Sequence, residues 1–401
     1  MFLINTHPDH NKPLLPADAR VLGAAGAHEV GRFLAFRGSA AATPLVALPR
    51  LADVLGVGSI HVKDEGQRLG LGSFKALGGA YAVIRLVLEE AARHFECDVD
   101  FADLDRPSVR AVAAKMTFAC ATDGNHGRSV AQGAQLVGAR SVIFVHGGVS
   151  DERVAAIARF GAEMIRVRGT YDETVAEAAR VAEREGWSIV SDTSWPGYER
   201  IPGLVMQGYT AIAHEALSQL DRPPTHVFVQ AGVGGIAAAL AGHFAETLAS
   251  DCPTFVVVEP ARAACILETA RTGRVTRIEH GEPTVMAMLE CYEPSLVAWR
   301  VLSRLADAFM TVEEDDAIAA MRRLALPAGH DPAIVSGESG CVGLAGLTRA
   351  LAEPELKAAL KLDASSRILL VNTEGATDPG LYELLVGADP AVVGTNEVMP
   401  A

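Results

Sequence analysis

What the chain lacks narrows the reading first. Basic residues are in deficit: 35 Lys and Arg stand against 49 Asp and Glu, for a net charge of −14. A surface of that sign has no general attraction for nucleic-acid phosphates or anionic membranes, so neither partner is expected. Only six cysteines occur, at 97, 120, 252, 265, 291 and 341, and none has CxxC spacing. Zinc and thioredoxin-type sites are thereby disfavoured, no metal is expected, and a reducing cytoplasmic setting is the default. Cys265 and Cys291 could pair only if the fold brings them together. The opening residues, MFLINTHPDHNKPLLP, have neither the basic segment nor the apolar core of a secretion signal. From Pro223 to Ala245 there is no Asp, Glu, Lys or Arg. That stretch is a poor spanning helix, because it carries two histidines, a glutamine and four glycines and divides into a β-run and an alanine-rich helix. No fixed-period repeat and no low-complexity linker is present.

What is there is an α/β pattern. At 401 residues, 49% hydrophobic and 21% charged, the chain suits a globular protein of two or three domain-sized units. SIHVKDE, TFACATD, SVIFVHG, MIRVRGT, WSIVSDT, THVFVQAG, TFVVVEP and RILLVNT read as buried strands. Helical stretches such as SDERVAAIARFGAE, YDETVAEAARVAEREG and IAAALAGHFAETLA alternate with them. Alternation of this kind predicts mostly parallel sheets covered by helices. Acids at Asp151, Glu152, Asp172 and Glu173 mark helix starts. The acidic, turn-rich segment 94–110 reads as a surface excursion. Ligands in such sheets sit beyond the carboxyl ends of the strands.

The unusual residues gather at those ends. In GLGSFKALGGAY, residues 70–81, Lys75 lies among small and apolar neighbours. Its stem could snorkel to solvent, or its amine could be held in a water-poor pocket where its pKa falls and it attacks a carbonyl. THVFVQAGVGGIAAAL is a strand, a glycine turn and a helix. Gly232, Val233, Gly234 and Gly235 let backbone N–H groups converge at a helix amino end, which suits a phosphate. The turn lacks the Gly-Lys-Ser/Thr of a Walker loop and the position of a dinucleotide fingerprint. FACATDGNHGRSVA puts Asp123, Asn125 and His126 on another strand end, between Gly124 and Gly127. Asn125 is also an ordinary helix cap. Asp192 ends a third strand near Trp195 and Tyr198, and Asn372, Thr373 and Glu374 end a fourth. A phosphate cradle, a desolvated lysine, an amide and a hydroxyl for ring atoms, and two strand-end carboxylates together form a parts list for pyridoxal 5'-phosphate.

These motifs resemble the tryptophan-synthase-β-like (fold type II) pyridoxal-phosphate enzymes. HVKDEGQRLGLGSFKALGGAY, ATDGNHGRSVA, SDTSWPGYERIP, THVFVQAGVGG, PTVMAML and NTEGATDP are similar to the diaminopropionate ammonia-lyase family, in order, from about Pro44 to Pro379. Related serine and threonine dehydratases usually carry serine where Asp123 stands. Tyr292 departs from the pattern, in which glycine is expected. The resemblance implies that Lys75 bonds covalently to the cofactor, Asn125 meets its O3′, residues 232–235 hold its phosphate, and Thr373 faces its ring nitrogen. A neutral hydroxyl there leaves the nitrogen largely unprotonated. The family's working carboxylates fall on Asp123 and Asp192. The implied reaction is elimination of ammonia from D- or L-2,3-diaminopropionate, giving pyruvate and a second ammonia. The alternatives are a serine or threonine dehydratase, another β-eliminating lyase, or a non-catalytic binding relative. The implied architecture is a large cofactor-binding domain, 1–80 and 197–401, with a smaller inserted domain, 81–196, the cofactor between them, and a homodimer by analogy.

Overall fold

A computed structural model describes residues 1–122, 124–169 and 171–393. Its strands, in chain order, are β1 (Phe2–Ile4), β2 (Leu45–Ala47), β3 (Ser59–Asp64), β4 (Thr117–Ala121), β5 (Arg140–His146), β6 (Glu163–Val167), β7 (Ser188–Ile189), β8 (His226–Gln230), β9 (Thr254–Pro260), β10 (Ala308–Val312) and β11 (Arg367–Asn372). They form two sheets. One has seven strands in the order β1-β10-β9-β8-β11-β3-β2, and the other has four in the order β6-β5-β4-β7. Among the described residues, the strands that pair antiparallel are the edge strands β1 and β2. All other pairings are parallel.

The strand runs read from sequence occur as strands, and their composition explains their place. HVFVQ of β8 and AFMTV of β10 are buried at every position. Parallel strands covered by helices on both faces need such predominantly apolar runs. The small four-stranded sheet has its own apolar layer, in which Ala119, Val142 and Phe144 meet Ala178 and Val181. The excursion at 94–110 is anchored: Phe101 and Leu104 are buried, and the Phe101 ring lies 6.4 Å from those of Phe33 and Tyr81.

Two features position the segment that leads to Lys75. The first is a buried ion network at the end of β3. Arg68 donates to both oxygens of Glu65, at 2.6 and 2.7 Å. It also donates to Glu215 at 2.9 and 2.7 Å, and Lys63 Nζ reaches Glu215 at 2.7 Å. Two cations and two anions so paired cancel, which is what permits them in the interior. The second is close helix packing. Gly78, one turn into the helix Lys75–Phe95, faces the helix Arg200–Gln219, where a Cβ would fall 2.6 Å from the Tyr209 ring. The glycine at 78 therefore serves the approach of two helices rather than a hollow around the lysine.

Among the described residues, no helix is long and apolar enough to cross a membrane, and no group of three or more His, Cys, Asp or Glu side chains is disposed to hold a metal.

Candidate active site

Lys75 is the first residue of its helix, held there by the strand end beside it. The Phe74 N–H donates to the Thr373 carbonyl at 2.9 Å, and Ser73 makes an antiparallel bridge with Glu374. Lys75 and Thr373 thus come from segments bonded directly to each other. The Lys75 ammonium contacts the Asp192 carboxylate in an ion pair whose side chains are 20% and 19% exposed. Burial by itself would lower the Lys75 pKa, but the Asp192 charge and hydrogen bond outweigh it and hold the amine above the ordinary lysine range. This corrects the expectation of a lowered pKa: an anion within contact distance dominates desolvation. Burial likewise opposes ionisation of Asp192, and the charges of Lys75 and His126 reverse that, holding its carboxyl well below the usual range.

Asn125 opens the helix Asn125–Val137 but does not cap it. Thr122 does so, its Oγ1 accepting from the N–H groups of Gly124 and Gly127 at 3.1 and 3.2 Å. The Asn125 amide is therefore spared for the site, where its Nδ2 donates to Glu374 Oε2 at 3.0 Å. His126 is buried, with Nε2 2.8 Å from the Val190 carbonyl. Asp123 lies outside the described residues. The aromatic pair after Asp192 is structural: Trp195 and Tyr198 stack at 4.2 Å. The Tyr198 hydroxyl donates to the Ile189 carbonyl at 2.8 Å and accepts from the Ser191 N–H at 3.0 Å, fixing the turn that presents Asp192.

The glycine turn after β8 is a cradle. Gly234 has φ +96°, a conformation that favours glycine. A Cβ on Gly232 would fall 2.8 Å from Cys291 Sγ. The first helical hydrogen bond runs from the Ala238 N–H to the Gly234 carbonyl at 2.9 Å, so the preceding N–H groups stand at the positive end of the helix, outside its ladder. No disulfide joins Cys265 to Cys291.

Gln230, Glu338, Ser73 and Tyr209 join the site without having been singled out in the sequence, beside Glu374 and His126, which were. Gln230, buried at the end of β8, donates to Thr373 Oγ1 at 2.8 Å. Glu374 and Glu338 are buried with one carboxyl oxygen each lacking a partner, as are the Ser73 and Tyr209 hydroxyls and His126 Nδ1. Burial and the nearby Glu338 push the Glu374 carboxyl up to about 8. Unsatisfied buried polar atoms are rare in proteins and call for an occupant. A cluster of five around an amine, an amide, a hydroxyl and a helix amino end can accept a flat, polar, phosphorylated aldehyde. The residues present fit pyridoxal phosphate.

Fold and site agree with known proteins on the class. Residues 37–374 match the family model described as pyridoxal-phosphate dependent enzyme. Diaminopropionate ammonia-lyase of Escherichia coli (strain K12) is 40% identical over 350 residues, covering 86% of this chain and 87% of that protein. The diaminopropionate ammonia-lyase of Salmonella typhimurium (strain LT2) is 38% identical over 372 residues, covering 90% and 91%. The crystal structure of the Escherichia coli enzyme in complex with an aminoacrylate-PLP azomethine reaction intermediate superposes with TM-score 0.86 at 37% identity, over 96% of both chains. The chain therefore belongs to the pyridoxal-phosphate-dependent enzymes, in the family of the diaminopropionate ammonia-lyases.

Proposed function

We propose that this enzyme eliminates ammonia from 2,3-diaminopropionate, D or L, to give pyruvate and two ammonia. The observation that carries the reading is the Lys75–Asp192 pair. It sets an amine able to bond an aldehyde against a carboxylate that stays ionised at neutral pH. When bound, pyridoxal phosphate supplies the electron sink that makes the substrate Cα–H acidic. Lys75 would attach it, Asn125 would meet its O3′, the N–H groups of Gly232, Val233, Gly234 and Gly235 would take its phosphate, and Thr373 would face its ring nitrogen.

The chain's residues then handle the protons. Lys75 Nζ removes Cα–H from the L-enantiomer, and Asp123 removes it from the D-enantiomer. Each such step contributes on the order of 10²–10⁴ in rate. Asp192 holds the ammonium that distinguishes this substrate from serine, by a charge-assisted hydrogen bond. With Lys75 in covalent use, the Asp192 carboxylate is available for a second cation.

The domain division fits this arrangement. Residues 1–80 and 197–401 would form the larger unit and 81–196 the smaller, with the cofactor in the cleft and closure excluding water. In support, the four-stranded sheet spans only Thr117 to Ile189, while the seven-stranded sheet draws on residues before and after it. The boundary at 80 falls within the helix Lys75–Phe95, which both units share. We extend the reading to a homodimer acting in the cytoplasm. Release of pyruvate from D- and L-2,3-diaminopropionate, serine and threonine, compared side by side, tests the activity. Turnover of the diamino acid should exceed that of both hydroxy acids; preference for serine or threonine would make the protein a dehydratase instead.

A further inference from the structure

Gln230 is the last residue of β8, fully buried at the centre of the seven-stranded sheet. A buried amide is costly unless both ends are satisfied, and here both are. Its Nε2 lies 2.7 Å from the Gly340 carbonyl, 3.0 Å from the Val371 carbonyl and 2.8 Å from Thr373 Oγ1. Its Oε1 accepts from the Gly343 N–H at 3.3 Å. Two carbonyls on one side and an N–H on the other leave a single orientation for the amide, because a flipped group would oppose acceptor to acceptor.

That orientation has a consequence for Thr373. An amide nitrogen only donates, so the Thr373 hydroxyl cannot point its own proton at Gln230 and shares the two Nε2 protons with the Gly340 and Val371 carbonyls. The hydroxyl's own proton then has the Ser339 carbonyl, at 3.5 Å, which is beyond the usual range of about 2.5–3.0 Å for an O–H donor. The proton remains available to a better acceptor. A protonated pyridine nitrogen facing Thr373 would have to use the last lone pair of the hydroxyl and drive its proton onto that distant carbonyl. An unprotonated nitrogen would simply receive it.

We propose that Gln230 is a positioning residue that fixes Thr373 as a hydrogen-bond donor toward the cofactor ring nitrogen, and so keeps that nitrogen unprotonated. The inference rests on the reading above that Thr373 faces the ring nitrogen. It assigns the protonation state of the cofactor to a side chain one shell removed from it. A glutamine that merely tied β8 to β11 and to the 336–341 segment would stabilise the fold without affecting the nitrogen.

The test uses holoenzyme loaded with cofactor labelled with 15N at the ring nitrogen, read by NMR. In the unsubstituted enzyme the resonance should sit at the unprotonated, hydrogen-bonded position throughout the neutral pH range; a protonated position overturns the proposal. Gln230→Met keeps the side-chain length and removes the donor. It frees the Gly340 and Val371 carbonyls to draw the hydroxyl proton away, and the resonance should shift toward the protonated position. Gln230→Leu should do the same if the methionine variant does not fold. Thr373→Asp, which offers a carboxylate, is the control and should protonate the nitrogen outright. If Thr373→Asp shifts the resonance and the Gln230 variants do not, Gln230 has no such role and the reading of Thr373 stands. If none of the three shifts it, Thr373 does not face the ring nitrogen and both fall.

Discussion

Asn125 and Glu374, 249 positions apart in sequence, are joined by a 3.0 Å hydrogen bond from Asn125 Nδ2 to Glu374 Oε2. The bond ties the helix that follows β4 to the strand end that carries Thr373, and it settles which end of the Asn125 amide is the donor. It also makes Asn125 dependent on the ionisation of a buried carboxyl. Burial and Glu338 raise the Glu374 pKa from 4.5 to about 8, against the opposing influences of Arg153, Asn125 and Ser339.

The sign of the resulting pH effect follows from linkage. The folded state binds a proton at Glu374 that the unfolded chain has released, so this group lowers stability as pH rises from about 4.5 to about 8. Glu374→Gln removes the titration. In thermal unfolding of cofactor-free protein, the variant should gain on the wild type as pH rises through that window, by a few kcal/mol at most. Parallel curves would show that Glu374 is ionised throughout.

The Lys75–Asp192 pair predicts the opposite dependence. Asp192 is held below its ordinary 3.8, so its stabilising contribution is present above that value and is lost as pH falls through the lowered pKa. In cofactor-free protein, where the Lys75 ammonium is free, Asp192→Asn should cost about 1–3 kcal/mol in urea unfolding at neutral pH, since it strands that partly buried cation. The cost should shrink in strong acid. A cost independent of pH would point to packing rather than charge.

Asp123→Asn should reduce turnover of D-2,3-diaminopropionate by on the order of 10²–10⁴ while affecting the L-enantiomer less. Steady-state rates of pyruvate formation with each enantiomer read this directly. Equal losses would remove the assignment of the two enantiomers to different bases.

Glu215 holds Lys63 and Arg68, whose side chains are 0% and 2% exposed. Glu215→Gln leaves two buried cations facing Glu65 alone. Chemical denaturation should register a loss of about 3–5 kcal/mol, the usual consequence of breaking a buried pair on one side. A loss below about 1 kcal/mol would mean that the network behaves like a surface salt bridge.

Much of this arrangement is legible in the sequence, for local reasons. Apolar runs such as FVVV in β9 read as strands covered on both faces, and GVGG between a strand and an alanine-rich run reads as a tight turn into a helix. Lys75, Asn125, Asp192 and Thr373 lie beyond the carboxyl ends of the parallel strands β3, β4, β7 and β11, so their convergence follows from the parallel topology. What stayed hidden depends on residues far apart in the chain. Asn125 looks like a cap until Thr122 is seen to do that work. Gly78 reads only as one of the small neighbours of Lys75 until Tyr209, 131 positions later by their numbers, packs against it. The direction of the Lys75 pKa turns on Asp192, 117 positions away. The part played by Gln230 turns on Thr373, 143 positions away. The edge strands β1 and β2, three residues each, are too short for any alternation to register.

The central claim is that Lys75 bears the cofactor. Holoenzyme reduced with borohydride, digested and mapped by mass spectrometry should yield the phosphopyridoxyl group on the peptide containing Lys75 and on no other. Recovery of the label at a different lysine, or an unmodified Lys75 in fully loaded and reduced protein, would contradict the account.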